Sequence, residues 1–302
     1  MTQLYWQVYL NLERDFLSIA DTIHINDKQQ EVYSMKIADL LIRTVIEIEA
    51  LSKDLYLSNG GKMMDDADMY FDTVCMEHLN NLWKLDQKIV SVVSPAIYLE
   101  KEENIILRPL FKANKRGTSS ADWNKAYQAV KHNRVKELSK GSIKHLLHGL
   151  AALYVLNLYY RNESIKDISS DDRTSVNPSF GSSLFAVRIH ELIGLKVDGT
   201  YHKRGNYDEC IYLEDHEQNS KRIAMEAVNA LNDLHNNAAK KLLHMAQEKK
   251  EKGEEVTMEW IQQESDNIYN DLISITYNKL EKRIYDSFSN IRYDIVLNKQ
   301  QY

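Results

Sequence analysis

The chain has little that bends a backbone sharply. Its 302 residues include ten glycines and three prolines, well below the usual share of about 12%. Both residues punctuate strands and turns, so their scarcity excludes an all-β sandwich or barrel and predicts long helices. Neither G-x-G-x-x-G nor G-x-x-x-x-G-K-[ST] occurs, which argues against a doubly wound nucleotide fold. The two cysteines, Cys75 and Cys210, form no C-x-x-C, excluding a disulfide framework and a Cys-rich zinc site. The longest uncharged apolar run, His145 to Tyr160, has 16 residues and carries two histidines and an asparagine. A membrane span needs about 20, so a buried helix and no membrane partner are expected. The stretch MTQLYWQVYLNLERD has no basic segment leading into a clean apolar run, so no secretory signal is evident. A cytoplasmic location is expected.

What is present suits a folded chain. It is 43% hydrophobic and 27% charged, enough for one large domain or two small ones. A formal net charge of −6 argues against a general nucleic-acid binder, but the charge is unevenly spread. From Arg108 to Lys144 only Asp122 and Glu137 oppose ten basic residues, a local charge of +8, while the rest of the chain carries −14. Such an excess is the footprint of an anion site on an acidic protein, or else a solvated basic face.

Five stretches carry the 3.6-residue apolar period: about 3–20, 31–57, 65–90, from after Ser120 to Lys140, and 142–160. Ser58-Asn59-Gly60-Gly61 predicts a helix stop, and Ser119 with Asp122 resembles a capping box with a shorter acid. The fifth stretch is apolar nearly all round, as at the centre of a bundle. Residues 162–183 are polar and turn-rich and predict a linker between a bundle over 1–161 and a second region over 184–302. There Leu184–Ile189 and Cys210–Leu213 read as strands, with a third around Leu195–Val197. One apolar seam follows at Ile223, Ala227, Leu231, Leu234, Ala238, Leu242 and Met245. A second runs through Ile261, Ile268, Leu272, Ile275, Leu280, Ile284, Phe288, Ile291 and Ile295. With the charged Glu248–Glu255 turn between them, they predict an antiparallel helical hairpin used for homodimerisation or a partner protein. The expected class is mainly α: a helical bundle, a small β element, then this hairpin.

The most distinctive segment is Trp123-Asn124-Lys125-Ala126-Tyr127-Gln128-Ala129-Val130-Lys131-His132-Asn133-Arg134, followed by Gly141-Ser142-Ile143-Lys144-His145 and the apolar run. It resembles the W-x-x-x-Y-x-x-V-K-H-x-R pattern of one branch of HEPN-domain proteins. Lys36 to Arg43, followed by Glu47, Glu49 and Lys53, is similar to that branch's E…E…K helix. The resemblance spans about residues 30–160. It implies an all-α bundle, commonly dimeric. Many members are metal-independent ribonucleases of toxin–antitoxin and phage-defence modules; others bind RNA, nucleotides or a protein without catalysis. No metal or other cofactor is expected. The family's usual nuclease signature, Arg followed after four to six residues by His, is absent.

Cleaving RNA without a metal requires a base for the 2′-hydroxyl and cations for the phosphorane. His132 is the candidate base, with Lys131 and Arg134 the cations. Residues two apart on a helix stand about 200° apart, so His132 and Arg134 meet one phosphate only through a bulge or across a dimer. Lys131 and Arg134 stand about 60° apart and share a face with Tyr127 and Trp123. That group can grip a phosphate beside a base, with Lys125, Lys115 and Arg116 extending it. The alternative is internal: Lys131 and Arg134 pair with Glu47 or Glu49, on the helix that carries Lys53, and join two helices. Binding, catalysis and internal pairing all remain open on the residues alone. RNA or another phosphate-bearing ligand is the expected partner. His145 with His148, and Cys75 with Glu77 and His78, lack the further ligands of a metal site.

Overall fold

The computed structural model describes residues 4–65, 67–169, 171–191, 195–196, 198–272 and 291–302. The chain opens with α1 (Leu4–Ala20), β1 (Ile25–Asn26) and α2 (Met35–Ser58). Ser34 starts α2, its Oγ accepting the Ile37 N–H at 3.2 Å, as an N-cap does. The helix expected over 65–90 is shorter. A π-helix over Phe71–Met76 runs into α3 (Glu77–Trp83), which Lys84 stops in the left-handed region at φ 51°. Then come β2 (Val90–Val92), β3 (Ile97–Tyr98), α4 (Glu102–Ile105) and β4 (Ile106–Leu107). Next are α5 (Asp122–Glu137), broken at Asn133 (φ −147°, ψ 67°), and α6 (Ile143–Arg161). The capping box at Ser119 does not form. Ala121 is the N-cap, and Ser120 Oγ accepts from Asn124 Nδ2 at 2.8 Å.

The apolar helix α6 is the centre, as its lack of a polar face requires. Leu146, Leu150, Leu153, Val155 and Leu156 are all buried, and α1, α2 and α5 pack around them. Gly141 makes the turn into α6. A Cβ there would come within 2.8 Å of Ala38 Cβ on α2, so glycine lets the turn lie against that helix.

Beyond α6 the chain forms β5 (Ile165–Ser169), β6 (Phe185–Val187), β7 (Ile189–His190), β8 (Tyr212–His216) and α7 (Gln218–Glu251). A helical run over 258–272 and β9 (Arg292–Leu297) follow. β6 pairs antiparallel with β2, Val187 opposite Val90, and β2 pairs with β4. A four-stranded sheet runs β5-β9-β8-β7, and β1 pairs with β3 in a two-stranded parallel one. The expected linker therefore contains a strand, and one hydrophobic core runs from Trp6 through α6 to Phe185, Tyr212 and Leu297. Polar, turn-rich composition marks 162–183 as surface chain, but β6 crosses back onto the bundle's own strand, so no gap separates two cores. Ile291 and Ile295, expected on a helical seam, belong to the β9 region. Ile295 and Leu297 are buried with Val296 less so, the two-residue period of a strand. Ile275, Leu280, Ile284, Phe288 and Val197 lie outside the described residues; Leu195 forms a bridge with Tyr201. Among the described residues no helix is long and apolar enough to cross a membrane.

Candidate anion-binding cleft

A cleft of about 750 Å³ opens where α2, the start of the π-helix, the 116–120 loop and α5 meet. From α2 come Glu49 and Lys53, four residues apart and hence on one helix face. From α5 come Lys125, Gln128 and His132, at spacings of three and four that likewise share a face. Arg116 enters from the loop, Asp72 from the π-helix and Tyr70 from the residue just before it. Two backbone irregularities adjoin this cleft. The π-helix begins at Phe71, and the Asn133 break follows His132 directly. Single π turns are rare and concentrate at functional sites.

Arg116 is the most constrained cation. Its Nε and Nη2 donate to the Asp72 carboxylate at 3.2 and 3.1 Å, and its guanidinium lies over the Tyr70 ring, 3.8 Å from the centroid. The Asp72 contact raises the arginine's pKa above its ordinary value. Asp72 is buried, yet Arg116 keeps 49% of its side chain exposed. Lys125 pairs with Asp122 at 2.6 Å, and this contact holds the Asp122 carboxyl below its usual value. Burial pushes the Glu49 carboxyl upward, against the pull of Lys131 and of a hydrogen bond from Tyr127. Lys131 Nζ in turn donates to the Tyr127 hydroxyl at 3.0 Å. A Lys131–Tyr127–Glu49 chain thus runs from the surface of α5 to the cleft wall. Asn124, buried at the cleft, leaves its Oδ1 without a hydrogen-bond partner among the described residues.

The candidates from the sequence divide. Lys125, Arg116, His132, Glu49 and Lys53 gather on the cleft. Trp123 and Tyr127 do not offer a stacking face: they are 2% and 1% exposed, and Trp123 Nε1 donates to Pro109 O at 2.8 Å. The expected Lys131–Arg134 grip is split. Lys131 turns to Tyr127, while Arg134 pairs with Asp39 of α2 at 2.8 Å. Asp39, rather than Glu47 or Glu49, is Arg134's partner. Glu47 lies two residues from Glu49, so it faces another way, toward Arg43 and Tyr5 of α1. Lys115 sits 3.6 Å from Glu77 and does not line the cleft. His145 Nδ1 is held by the Lys140 carbonyl at 2.7 Å, and burial pushes His148 down to about 4. Sequence reasoning missed Tyr70 and Asp72. They come from a segment that reads as the start of an ordinary helix, and no residue pattern announces a π turn.

Lys53, Arg116 and Lys125 bring basic side chains to the wall beside His132, and Glu49 and Asp72 oppose them. Asp72 is already neutralised by Arg116. Lys125 is likewise paired with Asp122, so the wall carries basic and acidic groups side by side, with Glu49 and His132 among them. Among the described residues no cluster of His, Cys, Asp and Glu is placed to hold a metal. No protein-family model, no curated protein and no solved structure matches the chain.

Proposed function

We propose that this cleft binds the phosphate of RNA or of another phosphate-bearing ligand, and that the chain is a cytoplasmic, RNA-directed protein of HEPN-like kind. The observation that supports the reading is the convergence of Arg116, Lys53, Lys125 and His132 from three separate segments on one cavity. On an acidic chain, scattered solubilising charges have no reason to converge. A defence or toxin role, and metal-independent cleavage with His132 or Glu49 as base, extend the same reading. The test is a titration of a labelled single-stranded oligoribonucleotide with the purified chain at rising salt, beside total RNA incubated in EDTA. Saturable binding that weakens with salt is expected, because each neutralised phosphate releases counterions. Absence of binding at low salt refutes the proposal. Loss of cleavage in His132→Ala with binding intact would assign the base.

A second reading is an interaction scaffold that docks a partner protein, or a second copy, on the two C-terminal helices. It is favoured by Leu243 and Met258, 63% and 78% exposed on α7 and the 258–272 run. In this reading the two helices form the antiparallel hairpin, and light scattering at twice the chain mass is its first expected result.

A further inference from the structure

We propose that Arg116 is the phosphate anchor of this cleft and that Asp72 and Tyr70 are positioning residues which fix its guanidinium for that contact. The proposal rests on the anion-cleft reading and deepens it by naming the group that recognises the ligand and how it is held.

A guanidinium carries five N–H donors in a rigid plane. Asp72 takes the Nε/Nη2 edge with two hydrogen bonds of similar length. The Tyr70 ring lies against the plane, which blocks rotation out of it. What is left is the Nη1/Nη2 edge, two parallel donors at the spacing of two phosphate oxygens. The side chain is half exposed while its carboxylate partner is 5% exposed, so an anion reaches the arginine and not the acid. The carboxylate is itself fixed. Asp72 Oδ1 accepts the Thr73 N–H at 2.7 Å, and Tyr70 and Asp72 flank the first residue of the π-helix. Gly117, next in the loop, has φ +64° and open space where a Cβ would stand. The chain therefore turns sharply after Arg116 without a side chain to cover it. Lys125 and Lys53 add charge to the same wall, but a lysine is a point charge on a flexible stem and sets no plane.

An arginine that acts through its fork is not replaceable by lysine. The experiment is a double-mutant cycle on the full chain, with affinity measured for a 5′-labelled single-stranded oligoribonucleotide and, separately, for pyrophosphate. Arg116→Ala and Arg116→Lys are both expected to weaken binding about 10- to 100-fold, the range of lost charge-assisted hydrogen bonds. Asp72→Asn is expected to weaken it about 5- to 10-fold when Arg116 is present and less than about twofold in the Arg116→Ala background. A purely structural Asp72 would instead lower affinity equally in both backgrounds, together with the melting temperature, and that result overturns the proposal. So does an Arg116→Lys variant that binds like the parent. Arg116→Ala strips the buried Asp72 of its cation, whereas Arg116→Lys keeps a positive charge beside it, so the lysine variant tests the fork even if the alanine variant does not fold. Arg116-dependent binding of pyrophosphate without RNA binding keeps the anchor and refutes the RNA reading. Binding of neither probe refutes the anchor.

Discussion

Replacing Lys88 with methionine is expected to make the protein's stability much less dependent on pH above neutrality. Lys88 is fully buried just before β2, and its Nζ donates to the Cys210 carbonyl at 3.0 Å. Burial pushes its pKa from 10.5 down to about 7, against the opposing pull of Asp208 and Cys210. Between those two values the unfolded chain holds a proton that the folded chain lacks, so stability rises with pH through this window. The destabilisation is complete below about pH 7 and gone above pH 10.5. At about 1.4 kcal/mol per unit, the full window is worth roughly 5 kcal/mol, and the part from pH 7 to 9.5 roughly 3 kcal/mol. The Cys210 carbonyl keeps a second donor, Asn298 Nδ2 at 3.0 Å, so Lys88→Met orphans no buried acceptor there. Urea unfolding of both proteins at pH 7 and 9.5 reads the effect. Relative to the parent, the variant should be about 3 kcal/mol more stable at pH 7 than at pH 9.5. A stability difference that is the same at both pH values refutes the reasoning.

Three further outcomes follow from other contacts. Leu150→Asp puts a charge at a site with no exposure, costs several kcal/mol, and should abolish the cooperative melt seen by circular dichroism. Glu13 Oε1 accepts from Tyr9, Ser182, Ser183 N and Leu184 N; Glu13→Ala leaves these donors short of an acceptor and should cost about 3 kcal/mol in urea unfolding, and Glu13→Gln, which keeps an acceptor oxygen, clearly less. Arg134→Ala breaks a pair whose side chains are 39% and 54% exposed, so it should shift stability by no more than about 1 kcal/mol and leave RNA affinity within about twofold of the parent.

The fold was legible wherever burial followed one period. The apolar run that became α6, the seam of α2 and the stop near Asn59 needed only helical spacing, and they appear within a residue or two, although α2 starts at Met35, four residues later than expected. The β9 strand was not legible, because Ile291 and Ile295 continue a four-residue spacing that a helix would also use. What decides for a strand is a partner 77 to 85 residues away: Tyr212 to His216 pair with Leu297 back to Tyr293. That pairing brings no local signal. The linker misled for a related reason. Polarity tells that residues 162–183 lie on the surface, and says nothing about whether β6 returns to the same core.

The candidate site shows the same division more sharply. The sequence marked a basic stretch with aromatics, and that stretch does border the cleft, but the roles within it were exchanged. Large aromatic side chains at helical spacing gain most by burial, and Trp123 and Tyr127 took that course. Arg134 found Asp39 on the neighbouring helix, a contact set by how α2 and α5 cross rather than by spacing along either. What remained for the cleft were the positions one face round, Lys125, Gln128 and His132, which share a period that was readable but had no reason to be preferred. Arg116 acquires its weight only in three dimensions. Forty-four residues separate it from the aspartate that orients it, and a π turn, invisible to any helical period, presents that aspartate to it.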